Sequence, residues 1–141
     1  MGQQQLLLVI LVTIIVGIAS AVAITTFSSA SDSSNVDAVR QDMLSIGSTS
    51  QGYLRRPAAF GGGGNDFTNM TFIDIAFASD SLSSDGMTAY NKNGTYALEF
   101  LSTTSICLTA TPASSTDGNE LHVDIYQSDM EWFDNEYVLV L

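Results

Sequence analysis

The chain has 141 residues, enough for one small folded domain beside an apolar stretch near its start, and not for two. Its 15 acidic and 4 basic side chains leave a net charge of −11, which argues against nucleic-acid binding through a basic patch and against anchoring on anionic lipid through clustered cations. Cys107 and His122 are each the sole residue of their type, which rules out an internal disulfide and a multi-histidine metal centre and leaves any Ser-His-Asp triad to one histidine. The acidity reads either as plain solubility or as a surface suited to high salt, where screening removes self-repulsion.

Gln3, Gln4 and Gln5 precede an apolar run, and no charged side chain occurs before Asp32. The apolar run begins with Leu6, Leu7, Leu8, Val9, Ile10 and Leu11. It continues through Val12, Ile14, Ile15, Val16 and Ile18, then thins to Val22 and Ile24. Roughly nineteen residues at 1.5 Å each span about 29 Å as a helix, close to the hydrocarbon thickness of a bilayer. Three readings compete. A signal peptide starts with a basic n-region, whereas the first basic residue here is Arg40, although Ala19-Ser20-Ala21 resembles a cleavage site; the segment is therefore expected to be retained. A membrane anchor fits length and polarity. A helix that waits in a membrane and then packs on copies of itself is favoured by the small residues Gly17, Ala19, Ser20, Ala21 and Ala23, which permit close approach.

Residues 25–35 are rich in Ser and Thr, which are mediocre helix formers, so this junction is a weak helix or a link. Beyond it, Val36, Val39, Met43, Ile46, Ser50 and Tyr53 recur at spacings of three and four, which predicts a helix with one apolar stripe, joined by Ala38 and Leu44. Aspartates from Asp32 to Asp42 supply most of the early negative charge, and Arg40, Arg55 and Arg56 are placed toward the end, a distribution that suits the helix dipole. Arg56-Pro57 marks the stop, because proline pushes the preceding residue out of helical geometry. If the junction is helical, one helix runs to Arg55 and measures roughly 75–80 Å.

Gly61 to Gly64 is expected to be a turn with positive φ or close backbone approach; no Lys-Ser/Thr follows to make it a phosphate loop. Strands are predicted over 66–77, 87–90, 96–101, 106–111, 121–126 and 137–141, with Asn93-Gly94 closing one hairpin and Asp117-Gly118 in a later turn. The sum is an α+β fold: a long helix, apolar in its first half and amphipathic in its second, packed on a small antiparallel β head. The domain expectation is 1–30 for the apolar helix, 31–56 for its amphipathic half and 57–141 for the head. Val36, Val39, Met43, Ile46 and Tyr53 are the residues expected to cover the sheet's free face.

Cys107 lies in an alternating strand pattern and reads as a buried core thiol. Asp124, Asp129, Glu131, Asp134 and Glu136 match no calcium-loop spacing and read as solvated charge. Asn69 and Asn93 head glycosylation sequons, with Asn93 expected to be the more accessible in its turn. The Ser/Thr junction offers O-glycan acceptors. Nothing forms a catalytic constellation, so neither an enzyme nor a cofactor is expected.

The apolar helix after a short polar start, the small residues at Gly17 and Ala19 to Ala23, the glycine turn and the antiparallel head together resemble the type IV pilins and pilin-like relatives. The GQQQLLL start, with Tyr53 to Pro57 leading to Gly61 to Gly64, is similar to a bacterial pilin-like group. The resemblance implies a structural subunit of an extracellular filament at the cell surface, built from many copies. Residues Gln5 to Ile24 would form its helical core and the heads its exterior. It also implies an inner-membrane pool before assembly, with the N-terminus toward the cytoplasm, and an assembly machinery as partner. The family usually has glutamate at the position of Gln5, where it pairs with the free amine; Gln5 can hydrogen-bond but cannot neutralise that charge. A basic leader, a proline late in the apolar helix and a head disulfide are missing from the pattern here, and Gly2 is the one glycine placed as a minimal cleavage point. The other class left open by the residues is a membrane-anchored or secreted β-domain that binds a surface ligand.

Overall fold

The fold is seen in a computed structural model that describes residues 2–116 and 118–133. The first element, α1, is one uninterrupted helix over Gly2–Arg55. No proline or glycine lies between Ile18 and Ile46, so nothing breaks the backbone ladder across the Ser-rich junction, and moderate propensity suffices to continue it. The chain divides into two compact units, Met1–Ser34 and Asn35–Leu141.

In the first unit the helix is apolar all round. The large apolar residues from Leu6 to Ile24 are 46–71% exposed. The hydroxyls of Thr13, Ser20 and Thr25 donate to the carbonyls of Ile10, Val16 and Val22 at 2.8, 2.8 and 2.9 Å. The polar groups in the run are thus satisfied within the helix and impose no demand for water.

In the second unit, the latter half of α1 lies on a six-stranded antiparallel sheet. Val39, Met43, Ile46, Tyr53 and Leu54 are buried, as are Gly47 and Ser50. Val36 is half-buried and Leu44 is exposed, so Leu44 stands off the stripe it was expected to join. Gly47 is buried because Met130 fills the space beside it: a Cβ there would lie 2.2 Å from the Met130 sulfur. The helix stops at Arg55, ahead of Pro57, as the sequence predicts, and a short 3-10 turn follows at Ala58–Phe60.

The strands are β1 (Ser81–Leu82), β2 (Thr88–Tyr90), β3 (Gly94–Ser102), β4 (Ser105–Pro112), β5 (Leu121–Tyr126) and β6 (Met130–Phe133). They form a plain meander, with each strand beside its sequence neighbours. The β3–β4 and β4–β5 pairings cross through Leu98, Leu108 and Val123, all buried beneath the helix. Alternation therefore divides each long strand into a covered face and an uncovered one. The strand expected over 66–77 is absent. That segment runs as turns, yet it delivers Phe67, Met70, Phe72 and Ile75 to the core. Its aspartates hold the turns: Asp66 accepts from the Thr68 amide at 2.8 Å and Asp74 from the Thr71 amide at 2.9 Å. Such local capture competes with a sheet ladder. Asp117 and the strand expected at 137–141 lie outside the described residues.

Candidate functional site

Two features of the chain have the character of working surfaces: the bare apolar helix, and the clamp that fixes the head on α1. The helix surface has no core-facing stripe, because apolar residues fill every angular position between Leu6 and Val16 except Thr13. A helix apolar on all sides is stable only when lipid or other helices surround it. It is long and apolar enough to cross a membrane. The expected core residues, Leu6 to Ile24, share this one exposed surface, together with Phe27. Gln5 lies on the same helix, one residue before the run, and is exposed.

The clamp centres on Asp42. Its Oδ2 accepts three bonds, from the Tyr96 hydroxyl at 2.6 Å, the Asn93 amide at 2.8 Å and the Asn91 amide at 2.9 Å. Burial acts to raise the Asp42 pKa, but the bonds from Tyr96, Asn93 and Asn91 outweigh it and hold the carboxyl below its usual range. Tyr96 is pushed the other way, first by its burial and then by its bond to Asp42. Two turns earlier in the helix, the Asn35 amide donates to the Asn93 carbonyl at 3.0 Å, and its Oδ1 accepts from the Ser114 amide at 3.0 Å. At the other end, Gln51 donates to the carbonyls of Tyr126 and Asp129, and Arg55 to that of Gln127 at 2.9 Å. Polar bonds at both ends thus fix the helix along the sheet, and the apolar stripe fills the space between. Of the five residues expected to pack on the head, Val39, Met43, Ile46 and Tyr53 are buried and Val36 is half-buried. The clamp itself was not foreseen. Its one sequence signal was the pair of asparagines beside Gly94, which a hairpin needs only in part.

The glycine run serves geometry. Gly61 and Gly64 take φ of 74° and 59°, and a Cβ on Gly62 or Gly63 would lie 2.2 Å from the carbonyl oxygen of Arg56 or Asp66. Both expected uses of glycine, positive φ and close approach, occur in this one turn.

The expected order of the sequons reverses. Asn93 is half-buried with its amide nitrogen engaged by Asp42, whereas Asn69 is exposed in a turn. Cys107 is half-buried on the uncovered sheet face, and so is not part of the core. Burial, and then the neighbouring Asp124, push its thiol up to about 12, so it is a poor nucleophile at neutral pH. His122 approaches Thr109 at 3.1 Å and Glu120 at 3.6 Å. Asp124 and Glu131 stand opposite each other across β5 and β6, and Asp129 sits in the turn between them. Asp134 and Glu136 lie outside the described residues. Among the described residues no group of three or more His, Cys, Asp or Glu is placed to hold a metal ion.

A cleft of about 310 Å³ opens in the head between the end of α1 and the turns at 74–76, with Tyr53, Arg56, Asp74 and Ile75 in its walls. Ala76 beside it has a φ of 49°, in the left-handed region that non-glycine residues rarely adopt. Comparison of the chain with protein-family models, with curated proteins and with solved structures gives no match.

Proposed function

We propose that this chain is the structural subunit of an extracellular type IV pilus-like filament, assembled by packing of its apolar helices, with the β heads outward. The observation that carries the reading is the charge-free helix surface from Leu6 to Ile24, exposed on every side and joined without a break to a helix that is part of a folded head. In a membrane, such a segment serves as a span and holds the subunit before assembly. In a filament, the same surface is buried against its copies, and burial at about 25 cal/mol per Å² adds over every subunit. The small residues from Gly17 to Ala23 allow the close helix approach that a central bundle needs. Gln5 is the polar residue nearest the start of the core and supplies hydrogen bonds to a neighbouring helix end. A membrane-anchored ligand-binding head is favoured by the cleft between α1 and residues 74–76, and it differs in predicting no fibres.

The test is to shear surface material from producing cells, image it, and identify its protein. Fibres composed of this chain support the reading; their absence, with the chain retained in the membrane fraction, supports the anchored head. Val16→Asp places an unpaired charge in the proposed core, at a cost of several kcal/mol per copy. It is expected to abolish fibres and leave the head folded. Normal fibres from that variant would refute assembly through this helix.

A further inference from the structure

We propose that Asn93 is the site of spontaneous deamidation in the head, that the clamp at Asp42 holds it unreacted while the head is folded, and that reaction in an opened head keeps the clamp from closing again. Asn93-Gly94 is the one Asn-Gly pair of the chain. In such a pair the glycine amide nitrogen gives up its proton and attacks the asparagine side-chain carbon, unhindered by a side chain on the following residue. A bond forms between that nitrogen and Cγ, the Cγ–Nδ2 bond breaks, and the side-chain nitrogen leaves as ammonia. Water then opens the cyclic imide at either carbonyl, which leaves aspartate or isoaspartate at the asparagine position. Water is consumed, ammonia is released, and no further reactant is needed.

The fold has use for both members of the pair. Gly94 is buried, and a Cβ there would lie 2.3 Å from the Thr111 carbonyl oxygen across the β3–β4 ladder, so a larger residue would push the strands apart. Asn93 supplies one of the three donors that Asp42 accepts. The head therefore carries a reactive dipeptide inside its own clamp.

The bonds around the pair hold every group that must move. Cyclisation turns the Asn93 side chain toward the Gly94 nitrogen and rotates the peptide unit between the two residues. That side chain is tied to Asp42 Oδ2 at 2.8 Å. The peptide unit is held at both ends. Its carbonyl accepts from the Asn35 side chain at 3.0 Å and from the Ala113 amide at 2.8 Å, and its N–H donates to Asn91 Oδ1 at 3.0 Å. The Asn93 amide donates to the same Oδ1 at 2.9 Å, and the Gly94 carbonyl accepts from the Asn91 amide at 3.0 Å. Attack thus requires a local opening in which bonds to the helix, to the end of β4 and within the turn are given up together. The product then opposes closure. Aspartate at this position sets a carboxylate where a donor faced Asp42, and like charges sharing a site disfavour each other; isoaspartate also adds a methylene to the backbone of the hairpin.

Peptide mass spectrometry at residue 93 tests this on the full chain in detergent, sampled over time in mildly alkaline buffer well below the melting temperature of each variant. In denaturant, Asn93 is expected to react before every other asparagine of the chain. In the native chain it should react at least several-fold more slowly. Asp42→Ala, with circular dichroism showing a folded head, should regain several-fold in rate. Asn35→Ala, which frees the peptide carbonyl from the helix, serves if Asp42→Ala does not fold, and its rate should fall between Asp42→Ala and wild type. Gly63→Ala perturbs the turn after α1 and leaves the clamp intact, so its rate should stay near wild type. Asn93→Asp should melt below wild type. Equal rates in the native and denatured wild-type chain would overturn the proposal. So would folded clamp variants that react no faster than wild type, or a Gly63→Ala chain that reacts as fast as they do. An Asn93→Asp head that melts with wild type would overturn the loss of re-closure. None of these outcomes depends on whether the chain forms fibres.

Discussion

Removing the Asp42 carboxylate should loosen the head more than its half-exposed position suggests. Asp42→Ala deletes an acceptor of three bonds, from Tyr96, Asn93 and Asn91. A hydrogen bond to a charged group contributes about 1.5–3 kcal/mol when intact. The three do not add, since all fall on one oxygen, and both asparagines can turn toward water. Tyr96 cannot, because it is fully buried. Its hydroxyl would lose its partner within the core, at a cost of about 1–3 kcal/mol. After a discount for solvent screening at the exposed side of the carboxylate, a total of about 2–4 kcal/mol is expected. For a domain near 100 residues that is a fall of roughly 8–16 °C in melting temperature. Asp42→Asn keeps the shape but sets an amide donor among three donors, and should fall between Ala and wild type. The pH dependence follows from the lowered carboxyl. Its stabilisation is fully present above the unfolded value of about 3.9 and fades as pH falls through the lower folded value. The wild-type advantage over Asp42→Ala should therefore hold at neutral pH and shrink below about pH 4. Thermal melts followed by circular dichroism, on the full chain in detergent, measure both effects. A melting temperature for Asp42→Ala within about 2 °C of wild type at pH 7 would refute the reasoning, because even one lost charged bond should exceed that.

Val39 is fully buried between helix and sheet, so Val39→Asp should cost about 3–5 kcal/mol and abolish slow amide exchange in the head; Gln41→Lys, on the exposed side of the helix, should leave exchange unchanged. Gly63→Ala sets a Cβ 2.2 Å from the Asp66 carbonyl oxygen and 2.9 Å from the Tyr53 ring, and should lower the melting temperature, whereas Gly52→Ala, with open space at its Cβ, should raise it slightly through helix propensity. The proposed filaments, with −11 per subunit, should resist heat better in molar salt than in dilute buffer, since the Debye length falls from about 30 Å at 0.01 M to about 3 Å at 1 M; a flat or falling melting series in sodium chloride would remove the support for a high-salt setting.

Local features made much of this protein legible before its fold was known. The charge-free run, the three-four stripe and the Arg56-Pro57 stop depend on spacing along one helix, and each recurs in α1. The Asn93-Gly94 hairpin and strands β4 and β5 follow from turn chemistry and period-two alternation, which neighbouring residues also specify. Tertiary structure decided the rest. The 66–77 segment has the apolar content of a strand, but Asp66 and Asp74 bind their own backbone and its aromatics plug the core from turns. β1 and β6 are two and four residues long, too short to show a period, and exist because a neighbouring strand offers them an edge. Asp42 looks from the sequence like one more charge suited to a helix dipole; it becomes a clamp only when folding brings Tyr96, 54 positions away, to its carboxylate. Asn93 likewise changes from an accessible turn residue into a half-buried donor because the helix passes beside its hairpin. A pattern along the chain reports which residues prefer burial, whereas the partner that buries them comes from distant sequence, and only the assembled sheet and helix supply it.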